Sequence, residues 1–304
     1  MILFSIICFV CLFIYGINLL TLFLESRFNK QTVHYINKSN NIYISFFIGI
    51  LITFLTQSSS AVIAIMIAFL NARKIKLYNA TAVMLGANIG TTFTSVLTSI
   101  NIDQYSYIIL SCGLLLSFFH KTKQTAKLFL GIGFIFFSLY CLKHQLYNVF
   151  DNINYLAYFQ KANNNIVLST WNGILISGII QSSSATIALA QICTTEKLIS
   201  VLSGVCIVLG ANIGTTFTGL IVSFKASVEA KVLSVTNLLI NLIGVLIMLP
   251  FIKSILKINY TNTSLFLSFV HIIFNIVTCT IGLFFINIIT RLSYKLIKKE
   301  PNFE

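Results

Sequence analysis

Two short polar blocks occur twice in a chain that is otherwise largely apolar. The first is Gln57-Ser58-Ser59-Ser60, repeated as Gln181-Ser182-Ser183-Ser184. The second is Gly86-Ala87-Asn88-Ile89-Gly90-Thr91-Thr92, repeated as Gly210-Ala211-Asn212-Ile213-Gly214-Thr215-Thr216. Serine is a favoured helix N-cap, and its hydroxyl donates to an anion's oxygens. A helix beginning there adds unpaired N–H groups and a positive dipole end. Ser58, Ser59, Ser60, Ser182, Ser183 and Ser184 are therefore candidate anion ligands. Back-bonding to the preceding turn would account for a single serine, but not for two identical clusters in register. In the second block, two glycines, an Asn and paired threonines weaken a helix. Unwinding there would free carbonyls for Na⁺, with oxygens of Asn88, Thr91, Thr92, Asn212, Thr215 and Thr216 completing the shell. Close packing through Gly-x-x-x-Gly is the competing use of the same residues.

The residues that are missing narrow the chemistry further. No Asp, Glu, Lys or Arg falls near the middle of any long apolar run. Proton-coupled transport usually needs a titratable group there, and His271 alone qualifies. A lone His on a helix is most often a hydrogen-bonded core residue. Neutral ligands favour Na⁺ coupled to a substrate that brings its own negative charge. No nucleophile–base pair and no metal-ligand cluster is present, which argues against an enzyme. A phosphate-binding P-loop is excluded, because no Lys follows the glycines.

These groups need a scaffold, and composition says which kind. Of 304 residues, 57% are hydrophobic and only 9% charged, against about a quarter charged in soluble domains. A soluble enzyme or nucleic-acid binder is ruled out. The apolar segments are continuous runs rather than alternations, so the chain reads as an all-α integral membrane protein and not a barrel. The net charge of +13 comes from basic residues in short loops, as the positive-inside rule requires. The seven cysteines lie in or beside apolar runs and behave as small apolar residues. Cys8 and Cys11 have metal-ligand spacing without a second pair. Residues 1–24 lack a basic start and a cleavage site, so they read as a span rather than a signal peptide.

Apolar stretches occupy about 1–24, 42–70, 81–100, 105–119, 128–142, 166–195, 200–222, 232–252 and 264–290. As single helices, 42–70 and 166–195 would greatly exceed a hydrocarbon core of about 30 Å. Each carries the Gln-Ser-Ser-Ser block in its middle and can turn back there as a re-entrant hairpin. With both re-entering, 15 Lys and Arg fall on one side and 5 on the other; with both crossing, the split is 11 to 9. Only the hairpin topology gives an orientation, with the C-terminus cytoplasmic and about seven transmembrane helices.

Residues 49–94 align without gaps on 173–218, and 22 of the 46 positions are identical. The expected division is repeat 1 over 1–124 (three spans plus hairpin 42–70), repeat 2 over 125–252 (three spans plus hairpin 166–195), and an extra span and tail over 253–304. Three crossings per repeat invert the second copy. Inverted repeats with broken helices at the midplane are a secondary-transporter architecture.

The paired Gln-Ser-Ser-Ser and Gly-x-Asn-x-Gly-Thr-Thr blocks resemble those of the sodium-dependent phosphate cotransporter family. So do Tyr15-Gly16-Ile17-Asn18 and His271-Ile272-Ile273-Phe274-Asn275, and the likeness covers roughly residues 10–290. One departure is Asn237-Leu238-Leu239-Ile240-Asn241, the earlier counterpart of the His segment. The resemblance implies inorganic phosphate as substrate, Na⁺ as coupling ion and a multi-pass place in the cell (inner) membrane. The serines would cradle phosphate. Gln57, Gln181, Asn88, Asn212, Thr91, Thr92, Thr215 and Thr216 would hold Na⁺. Partners expected are the lipid bilayer and no nucleic acid; regulation would need a separate soluble protein, and a homodimer is compatible. Two readings stay open beside Na⁺-coupled phosphate symport: a Na⁺-coupled transporter of another oxyanion or small carboxylate, and a passive anion channel or exporter.

Overall fold

The computed structural model describes residues 2–27, 41–100, 105–119, 122–150 and 163–298, and every element among them is a helix. Most of the loops expected at 25–41, 101–104 and 143–165, and the end of the tail, lie outside the described residues. In chain order the helices are α1 (Ile2–Arg27), α2 (Ile42–Thr56), α3 (Ser59–Asn71), α4 (Leu77–Gly90), α5 (Thr92–Thr98), α6 (Ser106–Ser117) and α7 (Lys123–Phe150). Then follow α8 (Ile166–Ile180), α9 (Ser183–Thr195), α10 (Val201–Gly214), α11 (Thr216–Ser223), α12 (Val228–Met248), α13 (Ile252–Ile255), α14 (Thr263–Phe284) and α15 (Ile286–Lys298).

Among the described residues, five stretches are long and apolar enough to cross a bilayer: Leu77–Thr98, Lys123–Gln145, Val201–Ser223, Val228–Ile255 and Thr263–Phe284. They match five of the expected spans, and α1 and α6 occupy the other two. At 12 residues, α6 is about 18 Å long, short of a 30 Å core. The span expected to run to 290 ends at Phe284 instead, and the expected tail begins as the separate helix α15. Its apolar residues Ile286 and Ile289 are buried, and the Ser293 hydroxyl pairs with Thr236 on α12 at 2.9 Å.

Both Gln-Ser-Ser-Ser segments break the helix at the same residue. Gln57 ends α2 with φ 50° and Gln181 ends α8 with φ 56°, a left-handed bend that side chains usually avoid. Ser58 and Ser182 then open α3 and α9, their hydroxyls accepting from the N–H groups of Ala61 and Ala185 at 3.2 Å. Thirteen residues later both helices stop alike. Arg73 and Lys197 are left-handed, and the N–H groups of Lys74 and Leu198 return to the carbonyls of Phe69 and Cys193, each at 2.8 Å. That six-to-one bond closes the helix end.

The unwinding expected at the glycine blocks is absent. Helix α4 runs unbroken to Gly90 and α10 to Gly214. Thr91 and Thr215 bend the chain only slightly, with helical dihedrals. The glycines serve close packing instead: a Cβ on Gly86 would collide with the Phe46 carbonyl oxygen, and one on Gly210 with that of Thr170. The carbonyls that unwinding would have freed are engaged. Thr91 donates to Ala87 O at 3.0 Å, Thr92 to Ile89 O at 2.8 Å and Thr216 to Ile213 O at 2.7 Å.

The packing partners of the two units correspond. Helix α3 packs on α11 and α12, while α9 packs on α5 and α14; α2 lies along α4, and α8 along α10. One apolar core joins α3, α4 and α12, a second joins α9, α10 and α14, and a third lies between α1, α7 and α9. Replacing Gly86 or Gly210 by Ala should drive paired backbones apart and cost about 1–3 kcal/mol, the usual penalty of overpacking. Gly219→Ala meets its nearest atom at 3.4 Å and should be neutral or slightly stabilising. Thermal unfolding in detergent reads the difference; equal melting of the three variants would reject the close-approach reading.

Candidate functional site

The two helix starts and the two Asn-Thr blocks converge. Ser59, Ser60 and Ile63 of α3, Asn88 and Thr91 at the end of α4, Ser183 of α9, Asn212 and Thr215 at the end of α10, and Asn237 and Asn241 of α12 line one cavity. Ile63 is the apolar member of that lining. The first N–H groups of a helix have no intrahelical acceptor, so Ser59, Ser60 and Ser183 bring backbone donors as well as hydroxyls. The open space is about 10 Å³ to the centre of a water-sized sphere, near the minimum one water requires.

The amides around it are tied in matching pairs. Asn88 donates to Asn237 Oδ1 at 3.3 Å, and Asn237 Oδ1 also accepts from Asn241 at 3.1 Å. In the second unit, Asn212 spends its amide nitrogen on Val208 O at 2.8 Å. Its Oδ1 therefore accepts from His271 Nε2, 3.2 Å away, leaving Nδ1 to face the Ser95 hydroxyl at 3.0 Å. Asn237 and His271 thus stand in corresponding positions, one partnering each repeated Asn. Both are buried, with His271 wholly so.

Not every expected residue reaches the cavity. Ser58 and Ser182 are spent as N-caps, and Ser184 is buried on the first turn of α9. Thr92 and Thr216 turn their hydroxyls to backbone carbonyls. Gln57 is buried, donating to Phe54 O and accepting from Thr94, both at 2.5 Å. Gln181 is exposed. The counterpart of Thr94 is Thr218, whose hydroxyl is buried without a partner.

Sequence reasoning missed several members. Asn237 and Asn241 stood out as a departure, and their spacing on one helical face was the signal that both could reach a common site. Gln191 gave no such signal, because its counterpart in the first repeat is Ile67. It is 2% exposed, accepts from Thr98 at 2.8 Å, and donates to Ser95 O at 2.9 Å and Ser268 Oγ at 2.8 Å. Beyond it lies a second cavity of about 40 Å³, bordered by Lys143 and Glu196, which form an ion pair at 2.7 Å.

Long apolar helices packed around a polar cavity with no charged lining residue mark a multi-pass membrane protein. Comparison with known proteins makes the class definite. The Na⁺/Pi-cotransporter family model matches residues 12–144 and 151–288, and the chain belongs to that family. It is 31% identical over 215 residues to "Uncharacterized protein YqeW" of Bacillus subtilis, covering 69% of each chain. It is 26% identical over 214 residues to "Putative inorganic phosphate export protein YjbB" of Escherichia coli K12, covering 69% of this chain and 39% of that one. The same figures hold for the Salmonella typhimurium protein of that name. No solved structure matches the chain.

The Thr94–Thr218 inequality makes a measurable prediction. Thr94→Val leaves a buried Gln57 oxygen unpaired and should cost about 1–3 kcal/mol; Thr218→Val removes an already unpaired hydroxyl and should be neutral or stabilising. Melting temperatures of the two purified variants test this. Equal destabilisation would mean the two units are bonded alike.

Proposed function

We propose that the protein is a Na⁺-coupled symporter of inorganic phosphate working by alternating access. The observation that carries this reading is the single cavity shared by Ser59, Ser60 and Ser183 with Asn88, Thr91, Asn212 and Thr215. Hydroxyls and helix-start N–H groups suit a tetrahedral anion. The neighbouring amide and threonine oxygens suit Na⁺, a hard cation that takes neutral oxygen ligands. The family description and the name of the Escherichia coli relative both support phosphate. In this conformation the cavity holds little more than one water, so substrate entry requires the two helix starts to part. The buried Gln57 and exposed Gln181 support a molecule with one half shut and the other half open.

The proposed topology is an inverted repeat with re-entrant pairs α2–α3 and α8–α9. Three contacts support re-entry of α8–α9: Asn71 with Ser227 at 2.9 Å, Lys143 with Glu196 at 2.7 Å and Asn163 with Ser200 at 2.7 Å. Full crossing by 166–195 would put the two members of each pair on opposite faces of the membrane, and the matching break at Gln57 supports the same course for α2–α3. The matching roles of Asn237 and His271 further support treating α12 and α14 as counterparts, rather than α14 as an added span. The C-terminus is then cytoplasmic and the membrane is the cell membrane. Bringing a phosphate dianion in against 100 mV costs roughly 4.6 kcal/mol at about 2.3 per charge, which two Na⁺ offset.

Uptake of labelled phosphate into proteoliposomes, with and without an inward Na⁺ gradient, tests the coupling; uptake indifferent to Na⁺ rejects it. Ser59→Ala and Ser183→Ala should each lower apparent phosphate affinity by roughly ten-fold or more, since hydrogen bonds to charged groups are worth about 1.5–3 kcal/mol. Unchanged uptake would remove the serines from the site. Because relatives are named for phosphate export, the same vesicles loaded with phosphate, with Na⁺ inside, read the outward direction. Competition by sulfate or dicarboxylates reads anion choice.

A further inference from the structure

The second unit contains a hollow that the first unit fills with its own side chains. About 140 Å³ of space lies in the fork between α8 and α9, closed behind by α10 and on one side by Ile6 of α1. That is close to the roughly 150 Å³ of an apolar cavity that stays dry and accepts benzene. Ile176, Ala190, Cys193 and Ile207 are among its walls. In the gapless alignment of the repeats, Ala190 corresponds to Met66 and Cys193 to Phe69, and one residue before its start Asn172 stands at the same offset from Ile48. Met66, Phe69 and Ile48 pack together in the apolar core of the first unit, so the hollow arises from truncation at the matching positions.

The hollow meets the outside of the molecule on an apolar face. Ile176 lines it and is itself 36% exposed, beside Leu175 and the 80% exposed Ile179. For a helix pair embedded in the membrane as proposed above, that exterior is hydrocarbon. At the other end, Asn163 accepts from the Ser200 N–H at 2.7 Å and the Ser203 hydroxyl at 3.2 Å, a polar rim at the helix ends. We propose that this hollow is a lipid site that takes one acyl chain of a bilayer phospholipid, headgroup toward the Asn163 rim. The chain replaces the Met and Phe side chains of the first unit and props α8 and α9 apart.

The test uses the full-length protein in vesicles containing a phospholipid with a photoreactive diazirine in its acyl chain, with labelled peptides mapped by mass spectrometry. Label is expected on the wall residues around Ala190, Cys193 and Ile207, as well as on the outward Val167 and Ile179. Ala190→Met with Cys193→Phe, the residues the first unit already accommodates, should lower wall labelling several-fold and leave labelling of Val167 and Ile179 unchanged. Ala190→Met alone should give a partial loss. Wild-type protein labelled only on its outward residues, or wall labelling that persists in the double variant, overturns the proposal. None of these readouts depends on transport.

Discussion

The rest of the structure depends on one constraint: a backbone that leaves helical geometry inside hydrocarbon must find hydrogen-bond partners within the protein. Gln57 and Gln181 break their helices in the middle of apolar segments, and each break is repaired locally. A serine caps the helix that begins. In the first unit, the Gln57 side chain covers Phe54 O of the helix that ends. The break then has to be walled in. Glycines at 86, 90, 210 and 214 do this by letting α4 and α10 lie backbone-to-backbone against α2 and α8. The polar cavity is the residue of that arrangement, the place where donors left over from two helix starts face each other.

Identical motifs are used unequally within this frame. Gln57 is locked to Thr94, while its repeat Gln181 is exposed and Thr218 lacks a partner. Met66 and Phe69 pack the fork of the first unit, while Ala190 and Cys193 leave the second hollow. Both differences leave the second unit looser. The polar blocks themselves are identical in sequence, so the looseness comes from surrounding positions that differ between copies. A symmetric site held by asymmetric supports is what the proposed alternating access needs, since in that scheme only one half is closed at a time.

The helical class, most span boundaries and the two break points were legible, because hydrophobic run length and a polar interruption are local signals. The convergence of Ser59, Ser183, Asn88 and Asn212 was legible from duplication alone. Unwinding at the glycine blocks was not, because Gly, Asn and Thr lower helix propensity yet also permit close approach, and tertiary contact decides between the two. Gln191 was invisible for the opposite reason: it has no repeat partner, and its bonds to Ser95 and Ser268 join segments far apart in the chain. Helix α15 was divided between the last span and the tail, because its mixed composition conceals a face that packs on α12.

The cavity's lack of fixed charge gives the proposed coupling its physical basis. None of its lining residues is Asp, Glu, Lys or Arg. An anion entering such a pocket gives up hydration and meets only dipoles, and buried charge without a counter-charge is heavily penalised. A carboxylate in the wall would bind Na⁺ without waiting for phosphate, and a lysine would hold phosphate without Na⁺. With neutral walls, each ion is the other's counter-charge, so neither is well held alone. Stable occupancy then favours the complete set, which is the condition for symport rather than for separate leaks of either ion.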